Sequence, residues 1–238
     1  MRRAFRIVAA VLGIVTIGFN LPFAVGALLG EADRIHRFHF VAGTLGSGVL
    51  LGVSLLACAR RPEDLAPFWV AVASGVATTI GGIIAGDFIS GLYVIAPILL
   101  IVLFALHPFR RSLFAIGGVD VAAGALAALA VVPAVAYALT QAELQRNGSS
   151  LDPHVEFHHY SGMTTYALSL PLAALAAALR LPGRRIAVWI VGVTGAGLGL
   201  ASLLLSDYVG AFEPVWAWLA LAWGVGFVAV GQLRRGSA

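Results

Sequence analysis

The sequence predicts an all-α fold: a polytopic membrane bundle of about eight transmembrane helices, made of two parallel four-helix repeats related by a pseudo-two-fold axis along the membrane normal. Three observations lead there. Of the 238 residues, 60% are hydrophobic and 11% charged, against about 25% charged in an ordinary soluble domain. A soluble fold of this length has no interior for so much apolar surface, so lipid must be its solvent. The arginines alternate in position along the chain, and the two halves of the chain match each other at a nearly constant offset.

The spans are predicted at 4–29, 36–58, 66–86, 91–107, 118–140, 158–179, 186–206 and 213–232. Each crosses, or nearly crosses, ~30 Å of hydrocarbon at ~1.5 Å per residue. The first follows Met1-Arg2-Arg3 and has small residues from Ala24 to Ala27. It is too long for a signal peptide and is expected to be a retained helix. Arg60-Arg61-Pro62 parts the second span from the third. The stretch 66–107 is too long for one helix, and Gly86-Asp87-Phe88-Ile89-Ser90-Gly91 supplies a turn. The longest loop, 141–157, precedes the sixth span. Ser206-Asp207-Tyr208 divides the last two.

With the N-terminus inside, the cytoplasmic side carries Arg2, Arg3, Arg6, Arg60, Arg61, Arg110, Arg111, Arg180, Arg184, Arg185, Arg234 and Arg235, and the outer side only Arg34, Arg37 and Arg146. This positive-inside bias predicts a multi-pass protein of the cell (inner) membrane with both termini cytoplasmic. The lipid bilayer is the expected partner. Nucleic acid is not, because the basic residues form short anchors between apolar runs rather than a patch, despite a pI near 9.8.

An offset of 120 residues pairs Arg60 with Arg180, Pro62 with Pro182, Trp69 with Trp189, Gly75 with Gly195, Asp87 with Asp207 and Phe88 with Tyr208. An offset of 119 pairs Phe38-His39 with Phe157-His158 and Gly43 with Gly162. One inserted residue in the sixth helix reconciles the two. The halves are expected at 1–115 and 116–238. Four helices per repeat is an even number, so the halves share one orientation.

The chain has no lysine, which excludes Schiff-base chemistry, and Cys58 is the sole cysteine, which excludes an intrachain disulfide. The candidate chemistry lies with histidine. His36, His39, His154, His158 and His159 fall near the outer face, and only His107 lies inside. His36 and His39 share a helix face, as do His154 and His158 if the sixth helix begins early enough. Glu31, Asp33, Asp87, Glu143, Asp152, Glu156, Asp207 and Glu213 gather on the same side.

Two cofactor readings fit this pattern. In one, His39 and His158 are axial ligands of a b-type haem between the halves, with Arg34 and Arg37 on its propionates. In the other, His36, His39, His154, His158 and His159 hold a transition metal with Asp87 or Asp207, and Met163 as a soft ligand. Both describe a redox or metal-handling protein. The alternatives are a small-solute transporter or channel at the repeat interface, and a cofactor-free structural, assembly or pH-sensing protein. Few mid-depth groups are polar (Ser47, Ser54, Ser74, Thr78, Thr79, Thr194) and none is charged, which weighs against an ion pathway. Histidine at headgroup depth also belongs to ordinary interfacial belts, with Phe38, Phe40, Phe157, Tyr160, Tyr208, Trp216 and Trp218 as aromatic companions.

Overall fold

The computed structural model describes residues 1–30, 34–87, 92–115 and 117–233, with backbone only for Arg34, Leu92 and Leu233. Glu31, Asp33, most of the turn expected at 86–91, and Arg234 and Arg235 lie outside the described residues.

Among the described residues eight helices carry the fold: α1 (Arg2–Leu29), α2 (Arg37–Arg60), α3 (Leu65–Ala85), α4 (Leu92–Leu106), α5 (Val121–Asn147), α6 (His159–Ala178), α7 (Arg184–Leu204) and α8 (Pro214–Leu233). No β-strand occurs among these residues, only an isolated antiparallel bridge between Val119 and Leu179. Seven of the helices are long and apolar enough to cross a membrane. The exception is α4, whose 15 residues rise only about 22 Å.

Local chemistry explains the helix ends. α1 and α3 stop at Gly30 and Gly86, both in the left-handed conformation that glycine adopts without penalty. Asp120 starts α5 by accepting the amides of Ala122 and Ala123, each at 3.1 Å. α5 runs to Asn147, beyond the predicted end at 140, because Gln141-Ala142-Glu143-Leu144-Gln145-Arg146 are good helix formers and continue the helix past its apolar part.

Contacts between loops identify the two ends of the bundle. At the arginine end, the Arg6 guanidinium donates to Arg60 O at 2.8 Å, Arg2 pairs with Glu63, and Ala66 N donates to Pro182 O. Asp120 and Arg184 pair at 2.9 Å on this side too. At the histidine end, Arg37 donates to Ala27 O, Tyr137 to Gly210 O and Arg146 to Ile84 O. α4 also runs from one end to the other. These contacts separate an arginine end from a histidine end.

α2, α3, α6 and α7 form the centre, and α1, α4, α5 and α8 flank it, on α2, α3, α6 and α7 respectively. In their apolar windows α6 and α7 are 61% buried, whereas α1, α5 and α8 are 17% buried. The apolar faces left open, such as Val11, Ile14, Val15 and Phe19 on α1, suit contact with lipid tails. α3 packs along α6, and α2 meets α7.

Two hydrogen-bond patterns recur 120 residues apart. Thr44 Oγ donates to Phe40 O and Asn20 O at 3.0 and 2.9 Å, while Thr164 Oγ donates to Tyr160 O and Ala138 O at 2.9 and 3.3 Å. Each hydroxyl thus ties its own helix to the preceding one. Ser74 donates to Val70 O, and Thr194 to Ile190 O.

α2 departs from regular α geometry. Thr44–Val53 is wound as a π-helix, a form that is rare beyond a single turn. It holds Gly46, Gly48 and Gly52, and at Gly46 the Tyr166 ring lies where a side chain would be.

α7 and α8 approach backbone to backbone. A Cβ on Gly224 would lie 2.2 Å from Ala196 N and 2.5 Å from Gly192 O. Lipid tails are as apolar as the helix faces, so association here depends on this close packing. Gly224→Leu should force the helices apart and cost about 1–3 kcal/mol, measured as a lower unfolding temperature of the purified protein.

Candidate functional site: a buried histidine cluster

Four of the five histidines at this end come together. His36 stands in the short 3₁₀ turn Arg34–His36, His39 in the first turn of α2, His154 in the turn Pro153–Glu156, and His159 at the start of α6. Ring centroids lie 4.4 Å apart for His36–His159, 5.0 Å for His36–His154, 4.8 Å for His39–His154 and 5.1 Å for His39–His159. The last pair is stacked, with an interplanar angle of 21°. His36, His39 and His154 are buried.

Asp152 organises one wall. It starts the Pro153–Glu156 turn by accepting the His154 amide, and it also accepts the His154 ring at 2.9 Å and the Tyr160 hydroxyl at 3.0 Å. Partial burial pushes its carboxyl up, but these hydrogen bonds outweigh burial and its pKa lies below the ordinary carboxylate value. The other ring nitrogen of His154 lies 3.1 Å from Ile35 O. Carboxylate and carbonyl are both acceptors, and a neutral ring donates to only one of them at a time. Asp152→Ala removes three bonds to a charged acceptor and should destabilise the protein by about 2 kcal/mol, read from thermal unfolding. The sign with pH is that of a depressed carboxylate: its contribution is full above ~3.9 and lost as acid protonates it below that.

His39 is the opposite case. Both of its ring nitrogens are buried with no hydrogen-bond partner, as is Nδ1 of His159. Gly210 closes against it, since a Cβ there would lie 3.1 Å from His39 Nε2, and its φ of +86° suits glycine. Arg37 turns away from the rings. It donates to Ala27 O at 2.7 Å and to the Tyr208 hydroxyl at 3.0 Å, with its guanidinium over the Tyr208 ring.

His158 does not join the cluster. Its φ of 58° makes it the one non-glycine residue of positive φ among those described, so α6 begins only at His159 and the expected helical pair His154–His158 is not formed. Its ring lies 3.1 Å from the Asp87 carboxylate, an electrostatic contact whose N–H is poorly aligned for a hydrogen bond. The pair lines a separate groove with Arg146 and Glu156. Asp207 is exposed in the turn after α7, apart from the rings, and Met163 is buried in the apolar core below them.

The residues expected to hold a haem are placed apart. His158 is set against Asp87 rather than among the rings with His39, and Arg37 donates to Ala27 O and Tyr208. Among the described residues, no group of three or more His, Cys, Asp or Glu is arranged to hold a metal ion. Asp152, Tyr160 and Gly210 were missed as parts of the site. The Asp152-Pro153 pair is a helix-start signal that could have placed His154.

Below the cluster the central helices stay polar for a short distance. Ser47 Oγ donates to the Tyr166 hydroxyl at 3.3 Å. Beside them lies a cavity of about 20 Å³ lined by Ser47, Ser74, Thr78, Thr165, Tyr166 and Ser169, large enough for one water.

No protein-family model, curated protein or solved structure matches this chain.

Proposed function

We propose that this multi-pass membrane protein senses acidity at its histidine face, which the arginine bias orients outward. Four imidazole rings in mutual contact carry the reading. His154 is held between two acceptors, Asp152 and Ile35 O. Among the described residues Asp152 is the one carboxylate bonded to these rings. A second proton on the stacked pair has no such partner. Two imidazolium charges 5.1 Å apart repel by about 3 kcal/mol at an effective dielectric of ~20. Acid therefore favours a state in which α2 and α6 part at this end.

The duplicated architecture belongs to this reading. Residues 1–115 and 116–238 act as two copies about an axis along the membrane normal. The matched hydroxyl bonds at Thr44 and Thr164 and at Ser74 and Thr194 support it. One offset of 120 then relates His39 to His159, the stacked pair, and each half supplies one ring of the sensor. No inserted residue is needed.

Spin labels at Leu29 and Leu151, both exposed, in a Cys58→Ser background test the sensor. The distance between them should lengthen as pH falls from 8 to 5, with the midpoint below the ordinary imidazole value of ~6.5, because the closed cluster resists the second proton. An unchanged distance rejects the sensor.

A transition metal is the second reading, favoured by the unpartnered ring nitrogens of His39 and His159. It would require His154 to release Asp152 or Ile35 O. Metal analysis of protein purified without chelator decides it: stoichiometric zinc, copper or iron lost in His39→Ala supports the metal, and its absence leaves the proton as the ligand.

A further inference from the structure

We propose that the groove between the end of α3, α5 and the segment 150–158 at the histidine end binds a small zwitterion, its anionic group held by Arg146 and His158 and its ammonium by Glu156. The groove is distinct from the histidine cluster and the proposal does not depend on acid sensing. Its volume is about 640 Å³, in the range of small-molecule sites. Ala85, Gly86 and Val155 supply apolar wall; Asp87, Arg146, Glu156 and His158 supply both signs of charge.

The backbone is spent on this wall. His158 adopts a left-handed conformation that residues with a Cβ rarely take. It caps no amide of α6 with its side chain. Its ring is instead set against the buried Asp87 carboxylate at the end of α3 and along the groove. Arg146 reaches from α5 and gives one nitrogen to Ile84 O, and a guanidinium has further N–H donors for an anion. Glu156 is exposed on the facing turn.

The mixture of charges selects the ligand. A simple anion meets Glu156, and a simple cation meets Arg146. Bare metal is disfavoured because no group of metal-ligating side chains among the described residues is arranged for it. A molecule with an ammonium a few bonds from an anion satisfies both signs. A free amino acid has that chemistry, as does phosphoethanolamine, either free or as the headgroup of a lipid at the membrane surface.

Calorimetric titration of the full chain in detergent with glycine and with phosphoethanolamine, and native mass spectrometry with phosphatidylethanolamine against phosphatidylcholine, test this. Saturable binding of at least one ammonium-bearing probe is expected, weakened roughly tenfold or more in Arg146→Gln and in Glu156→Gln, as loss of a charge-assisted contact implies. Binding of the lipid alone names the headgroup as the source, and binding of a free probe names a soluble ligand. If Arg146→Gln does not fold for want of its bond to Ile84, the exposed Glu156→Gln carries the test. Failure of folded wild type to bind any of the three ammonium probes, or binding unmoved by Glu156→Gln, overturns the proposal.

Discussion

Glutamine at His39 should remove about one proton from the number taken up as the histidine end opens, lowering by about one the slope of the logarithm of the opening equilibrium against pH. Glutamine keeps a polar side chain of similar reach but does not titrate. His39 is the sensitive position because its ring has no hydrogen-bond partner and touches both His154 and His159. A proton there adds a cation beside the His154–Asp152 pair and beside a stacked ring. His159→Gln should act similarly, and the double variant should lose most of the response. His107→Gln is the control. It lies at the arginine end, edge-on to Phe5 with centroids 4.6 Å apart, and burial lowers its pKa to about 4. His107 therefore stays neutral in the folded protein between pH 5 and 8. It contributes stability that is full above ~6.5 and declines as pH falls toward 4, without moving labels at the other end. A slope unchanged by His39→Gln, or lowered equally by His107→Gln, would count against the cluster as the sensor.

The fold was legible where lipid imposes a simple rule. Apolar length and arginine alternation identify the helices and their two ends because hydrocarbon tolerates neither charge nor unpaired backbone. The histidine site was legible only in part. That His36, His39, His154 and His159 share one end follows from span order. Which rings meet depends on two local backbone events. His158 turns left-handed, which shifts the start of α6 by one residue and sends its own ring to Asp87. The π winding of Thr44–Val53 changes which side chains follow one another down α2. Hydrophobic pattern is blind to that change in a segment apolar on every side. The uniform offset of 120 is present in the sequence and pairs Phe40 with Tyr160 and Thr44 with Thr164 as well as His39 with His159. The offset of 119 instead pairs Phe38-His39 with Phe157-His158 and Gly43 with Gly162.

Alanine at Asp120 should be among the most damaging single changes in the protein, costing about 3–5 kcal/mol. The carboxylate does two jobs at the arginine end. One oxygen accepts the amides of Ala122 and Ala123 and so starts α5, and the other pairs with Arg184 in the first turn of α7 at 2.9 Å, with 2% of the Asp120 side chain and 19% of the Arg184 side chain exposed. The Asp120 amide donates to Ala178 O at the end of α6, so three helices converge on this residue. Removing the carboxylate leaves a mostly buried guanidinium without its charge partner and an N-terminus without its cap. The substitution Asp120→Asn separates the two roles, because a side-chain amide oxygen still caps α5 but brings no charge to Arg184. The expected order of unfolding temperature is wild type, then Asp120→Asn, then Asp120→Ala. A double change, Asp120→Ala with Arg184→Leu, should recover part of the loss because it removes the stranded cation. If Asp120→Asn unfolds at the wild-type temperature, the ion pair contributes nothing and the cap alone explains the residue.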